Sequence, residues 1–164
     1  MHQLPHRICI SGPTSSGKTT LGRRLSAITG APHIEMDALY HGPNWTPNTD
    51  FVERVAAATA GDAWITDGNY RVARAYTWGR ADLILWLDFP LPLTLWRLTR
   101  RTFVRWRRRE VLWNGNRETL HNHFFTRNSL FLWALTTHGR HRRQYPEQFA
   151  ALGARNVVRL RSPR

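Results

Sequence analysis

The run Gly12 to Thr19, GPTSSGKT, carries glycine, glycine, lysine and threonine at the spacing GxxxxGK[ST], and that pattern suits the binding of a polyphosphate. Each position has its own task. The glycines let backbone N–H groups turn inward on phosphate oxygens, the Lys18 ammonium reaches the β and γ phosphates, and the Thr19 hydroxyl ligates Mg²⁺. The nucleotide-binding stretch is therefore expected to comprise Gly12, Pro13, Thr14, Ser15, Ser16, Gly17, Lys18, Thr19 and Thr20, with ATP and Mg²⁺ as cofactors. Lys18 is the single lysine beside 23 arginines. A guanidinium fork is too broad for a crowded phosphate nest, so Lys18 is the strongest catalytic candidate.

A second set of reactive groups is acidic. Glu35, Asp37, Asp67 and Asp88 each fall at or just beyond the end of an expected strand. In an open parallel sheet the carboxyl ends of the strands rim the ligand crevice, so these groups should face the phosphate loop. One can orient an acceptor hydroxyl or take its proton while another supports Mg²⁺ through water; helix or turn capping is the alternative for Asp67 and Asp88.

These groups require elements that hold them. Arg7 to Ser11 is a short β-branched run closing on Gly12, and Leu21, Leu25 and Ile28 then recur at helical spacing until Gly30 and Pro32. The loop thus joins a strand to a helix, as phosphate binding needs. Further strands are expected at 33–36, 63–66, 82–89 and 156–160, their unbroken apolar character marking burial on both faces. A loop with Gly42, Pro43 and Pro47 leads to a helix over about 50–60, with Thr49 or Asp50 as cap. The apolar stripe Leu91, Leu95, Leu98, Phe103 and Trp106 predicts a helix over 91–109, an Asn-Gly-Asn turn follows at 114–116, and two more helices are expected over about 119–137 and 142–152. Alternating strands and helices argue for one three-layer α/β/α domain over 1–164 with a five-stranded parallel sheet.

Composition narrows the classes. The chain has 164 residues, 41% of them apolar, which suits one compact domain and argues against disorder. No apolar run approaches the roughly 18 residues of a membrane span, and the first seven residues lack a signal-peptide layout, so a cytoplasmic protein with no membrane partner is expected. Cys9 alone can form neither an internal disulfide nor a zinc cluster, and its apolar setting predicts a buried, inert thiol.

The net charge of +13 lies entirely in the second half: residues 1–90 balance to zero, while 91–164 set sixteen arginines against three glutamates. The sign suits nucleic acid, a membrane surface or a polyphosphate alike. Arg101 and Arg105 are the expected catalytic arginines of a helical lid over about 97–127, with Arg140 on the nucleotide; most other arginines of 97–109 read as a solvated face. His121, His123, His138 and His141 read as surface or structural, and Trp96, Trp106, Trp113 and Trp133 as core and lid packing.

The phosphate loop, HIEMDALY (33–40), ITDGNY (65–70), ADLILWLDFP (81–90), WRLTRR (96–101) and LRSPR (160–164) together resemble the adenylate kinase-related P-loop proteins often labelled DNA topology modulation proteins. The resemblance implies a nucleoside monophosphate kinase-like fold, strand order 2-3-1-4-5, an arginine-bearing lid between strands four and five, and an adenine loop near 161–163. The wider superfamily is similar to shikimate and gluconate kinases, whose second strand ends in an acidic pair one residue apart. Glu35 and Asp37 fit that spacing, which implies Glu35 at a Mg²⁺ water and Asp37 on the acceptor, with Asp67, Asn69 and Arg71 as further acceptor-binding residues. The leading reading is an ATP-dependent phosphotransferase acting on a small molecule or nucleotide. A nucleic-acid-binding ATPase affecting DNA topology is the second, and a non-catalytic nucleotide-binding scaffold the third.

Overall fold

The structure, a computed structural model, describes residues 5–108, 111–116, 129–154 and 156–163. Five strands, β1 (Arg7–Ser11), β2 (His33–Glu35), β3 (Trp64–Asp67), β4 (Leu83–Leu87) and β5 (Val157–Leu160), form one parallel sheet in the order β2-β3-β1-β4-β5. The helices are α1 (Lys18–Thr29), α2 (Met36–Tyr40), α3 (Phe51–Ala58), α4 (Leu91–Arg108) and α5 (Leu130–Ala151). They cover both faces, giving the expected three-layer arrangement and strand order.

Strand alternation sorts the core into two layers. Cys9, Ile84 and Trp86 point to one face, where Trp78 and the α5 residues Tyr145 and Phe149 close over them. Ile8, Ile10, Ile65 and Leu87 point to the other, under Leu21 and Leu25 of α1. A smaller cluster of Met36, Phe51, Val55 and Ala73 seats α2 and α3 beside β3. Cys9 is buried at 1% exposure, and burial pushes its thiol up to about 12, an inert state.

Several elements differ from the sequence reading. The two helices expected over 119–137 and 142–152 are one helix from Leu130, capped by the Ser129 hydroxyl, which accepts from Leu132 N; residues 119–128 lie outside those described. Gly139 and Pro146 sit inside that helix, where packing of Tyr145 and Phe149 against Trp78 outweighs their poor propensity. Met36, expected to end a strand, instead begins α2. Asp50 precedes α3 but its carboxylate accepts from Arg54 Nε at 2.8 Å and makes no capping bond.

On α4 the buried positions are Thr94, Leu98 and Thr102, spaced four apart, whereas Phe103 and Trp106 are exposed. Phe103 lies five residues past Leu98, about 140° round the helix, so both cannot share a face. Trp96, Trp106 and Trp133 are likewise 40–59% exposed, and the core indoles are those of Trp64, Trp78 and Trp86. Edge position accounts for β5, whose Val157 and Val158 are 37% and 45% exposed. Of the lid span 97–127, residues 109–110 and 117–127 lie outside those described. No helix among the described residues is long and apolar enough to cross a membrane.

Asp88, just past β4, neither caps nor faces the crevice. Its buried carboxylate accepts from Arg142 Nε at 2.6 Å on α5 and from Arg159 Nη2 at 2.6 Å on β5, tying three elements together. Asp88→Asn leaves both guanidinium groups without a counter-charge, and we expect a loss of about 2–4 kcal/mol in urea unfolding.

His141 stacks on Tyr145 at 4.7 Å, and burial, with Arg140 and Arg74 nearby, holds its imidazole down to about 4 from 6.5. The unfolded chain therefore takes up this proton first as pH falls, so the neutral-His141 contribution is complete above pH 6.5 and declines toward pH 4. Thermal unfolding at pH 7 and pH 5 should show a smaller drop for His141→Gln than for the parent chain.

Candidate active site

β1 delivers the phosphate loop at its carboxyl end. Gly12 has φ 153°, and a Cβ there would stand 2.7 Å from Leu87 O, so the first glycine is required by the close approach of β4. Gly17 has φ 97° and releases the chain into α1, leaving Lys18 as the first helical residue. Lys18 Nζ donates to Gly12 O at 3.0 Å and Pro13 O at 2.9 Å, so the ammonium is folded over the loop it serves. Burial pulls its pKa down, and the charges of Asp67 and Asp37 oppose that pull. The Ser15 and Ser16 hydroxyls are buried with no hydrogen-bond partner among the described residues, as suits a loop whose donors await phosphate oxygens.

The loop opens into a cleft of about 1850 Å³, large enough for a nucleotide and a small acceptor together. Asp37, in the first turn of α2, lines it, and its Oδ1 accepts from the Tyr70 hydroxyl at 2.6 Å. Burial, and then the Asp37 charge, push the Tyr70 phenol well above its ordinary range, so it stays protonated and donates. Asp67, at the end of β3, also lines the cleft; its Oδ2 is buried with no hydrogen-bond partner among the described residues, and His33 Nε2 stands 3.4 Å away. Glu35 is differently engaged, accepting from Arg23 Nη2 at 2.7 Å and from the Trp113 indole N–H at 3.0 Å.

Arg97, Arg101 and Arg105 recur every four residues on α4 and all line the cleft. Arg97 touches the loop itself, donating from Nη1 to Ser16 O at 3.0 Å. Helical spacing alone would have put it with Arg101 and Arg105. Arg140, by contrast, is exposed on α5 outside the cleft, and Arg71 is exposed at the start of a 3₁₀ turn, where the preceding Tyr70 takes the inward position. The predicted adenine loop, 161–163, is exposed.

Asn69 lies against the phosphate loop. Its Oδ1 accepts from Ser11 Oγ at 2.9 Å and Gly12 N at 3.2 Å, and its Nδ2 donates to Gly12 O at 2.5 Å. Three bonds from one amide fix the entry to the loop. No sequence signal assigns this contact, because it joins the ends of two strands 57 residues apart.

A parallel 2-3-1-4-5 sheet with the phosphate loop after β1 and an arginine-lined helix after β4 is the P-loop kinase fold. Solved structures with this fold include a gluconokinase from Sinorhizobium meliloti 1021, 19% identical over 99% of this chain and 86% of that one, with TM-score 0.56. A shikimate kinase from Acinetobacter baumannii in complex with shikimate is 18% identical over 98% and 86%, with TM-score 0.54, and one from Bacteroides thetaiotaomicron 13% identical over 95% and 87%, with TM-score 0.57. No protein-family profile and no curated protein sequence matches the chain.

Proposed function

We propose that the chain is an ATP-dependent phosphotransferase that moves the γ-phosphoryl group to a hydroxyl of a small molecule. The observation that carries this reading is the placement of Lys18 and the Tyr70-held Asp37 in one cleft. Asp37 accepts the acceptor's proton as the acceptor oxygen bonds to the γ-phosphorus; the bond from that phosphorus to the β–γ bridging oxygen breaks, and ADP leaves with the electron pair. Tyr70 fixes one carboxylate oxygen, so the other is turned to the acceptor. Lys18 and the loop N–H groups stabilise charge on the phosphates, and Arg97, Arg101 and Arg105 neutralise it from the α4 side.

The donor set suits a hard cation held mostly through water. The Thr19 hydroxyl and the Asp67 carboxylate, whose Oδ2 makes no hydrogen bond among the described residues though His33 Nε2 stands 3.4 Å away, would hold Mg²⁺, whose charge would offset that on the transferring phosphates. Glu35, already bonded to Arg23 and Trp113, is less suited to that post than Asp67. The fold shared with a gluconokinase and shikimate kinases supports hydroxylated small molecules as acceptors. ADP release measured across a panel of hydroxylated metabolites and nucleotides tests the reading: at least one should stimulate turnover, and stimulation by none would reject it.

A further inference from the structure

We propose that the acceptor carries a flat ring, held against an aromatic wall that two separate loops build together; this rests on the phosphotransfer reading above. Tyr40, His41 and Trp45 come from the segment between β2 and α3, and Trp113 comes from the turn beyond α4. All four line the cleft that holds Asp37. Tyr40 meets His41 edge-on at 5.0 Å, His41 meets Trp45 edge-on at 5.1 Å, and His41 and Trp113 lie within 21° of parallel at 6.3 Å. The wall continues to the reacting end, because Tyr40 also packs on Tyr70, the phenol that holds Asp37, at 4.6 Å.

The two loops are matched turns clasped by asparagines. Gly42 N donates to Thr46 O at 2.7 Å in one and Leu112 N to Asn116 O at 2.7 Å in the other, and Asn44 and Asn114 share φ 54° and ψ 34°. Asn116, 4% exposed, joins them: its Oδ1 accepts from Trp45 N at 2.9 Å and its Nδ2 donates to Gly42 O at 2.9 Å. Asn114 Nδ2 donates to His41 O. With these bonds in place the wall is ordered before any ligand arrives, which lowers the cost of binding to it.

Three features favour a ring over a flexible polyol. Trp113 lines the cleft with its N–H already spent on Glu35, so it has a ring surface and no hydrogen-bond donor to give a ligand. Tyr40, His41 and Trp113 are half-buried where they line the cleft, unlike the closed core cluster around Trp78 and Trp86. An acyclic polyol laid on this wall would give up water hydrogen bonds and gain few in return, whereas a planar ring gains stacking.

Calorimetric titration of the full chain, with the non-hydrolysable ATP analogue AMP-PNP and Mg²⁺ present, tests this. The probes are 4-(hydroxymethyl)benzoate and pyridoxine as planar rings, trans-4-(hydroxymethyl)cyclohexanecarboxylate as the puckered partner of the first, and gluconate as the acyclic arm. A planar ring should bind about tenfold more tightly than its puckered or acyclic counterpart. Trp113→Leu and Asn116→Ala should each erase the preference and Trp113→Phe should keep it, with thermal unfolding confirming that each variant folds. Equal or tighter binding of the puckered or acyclic probes, no binding of either planar probe at millimolar concentration, or a preference untouched by Trp113→Leu would overturn the proposal. Because the readout is binding, it can fail while ATP turnover still depends on Lys18, and it can succeed while phosphotransfer fails.

Discussion

Lys18→Ala should reduce acceptor-stimulated ATP turnover by about a thousandfold or more, while the folded state persists. The lysine contributes the only mobile cation rooted in the phosphate loop itself, and its Nζ already sits 3.0 and 2.9 Å from the loop carbonyls of Gly12 and Pro13. From there it would turn to the phosphates of bound ATP and stabilise the charge that grows on them during transfer. Arg97, Arg101 and Arg105 approach from α4 and cannot replace it, because their broad forks enter from outside the nest. Lys18→Arg should therefore fail nearly as badly, although it keeps the charge. Steady-state ADP release checks both variants, and thermal unfolding checks that neither has lost the fold. Turnover in Lys18→Ala within a few-fold of the parent would separate the loop from the chemistry.

Asp37→Asn should lower kcat by about 10²- to 10⁴-fold with little change in nucleotide affinity. An amide is nearly the same shape and can still pair with the Tyr70 hydroxyl, but it cannot take the acceptor's proton. The loss should thus appear in kcat rather than in the KM for ATP, a split that a general packing defect would not give. Tyr70→Phe should cost less, because it removes the bond that orients the carboxylate while leaving the base in place. An Asp37→Asn enzyme with parent kcat would assign proton transfer elsewhere in the cleft.

How far the sequence anticipated this site depended on how local each signal was. The strand, glycine turn and helix around residues 12–19 were legible because consecutive backbone positions set that shape, so spacing alone specifies it. The three central strands were legible for a related reason, because short apolar runs there are buried from both sides, and the resemblance supplied the strand order. Local patterns failed where a partner far along the chain decides the outcome. Asn69 of DGNY is expected on the acceptor, yet its amide is bonded to Ser11 and Gly12. Arg71 and Tyr70 are neighbours, and only the 3₁₀ turn after Tyr70 determines that the phenol faces Asp37 while the guanidinium faces away.

The arginines give the same lesson at longer range. Position 140 sits among basic residues that look fit for a nucleotide, but the continuity of α5 carries it outside the cleft. Arg97 shares its helix face with Arg101 and Arg105 by spacing alone, but only the packing of Thr94, Leu98 and Thr102 shows that this stripe is the one turned to the cleft. Likewise the indoles at Trp96 and Trp106 read as core and lid packing, whereas the buried positions of α4 are Thr94, Leu98 and Thr102 and both indoles are exposed.

The central claim is that ATP's terminal phosphoryl group passes to a small-molecule hydroxyl in the cleft shared by Lys18 and Asp37. Its most direct test is transfer of label from ATP carrying ³²P at the γ position, followed by chromatographic separation of inorganic phosphate from phosphorylated acceptor, with the parent chain and Asp37→Asn run side by side. The account predicts label in an acceptor phosphoester with the parent chain and its near-complete loss in the variant. Label recovered only as inorganic phosphate, whatever acceptor is offered, would contradict it.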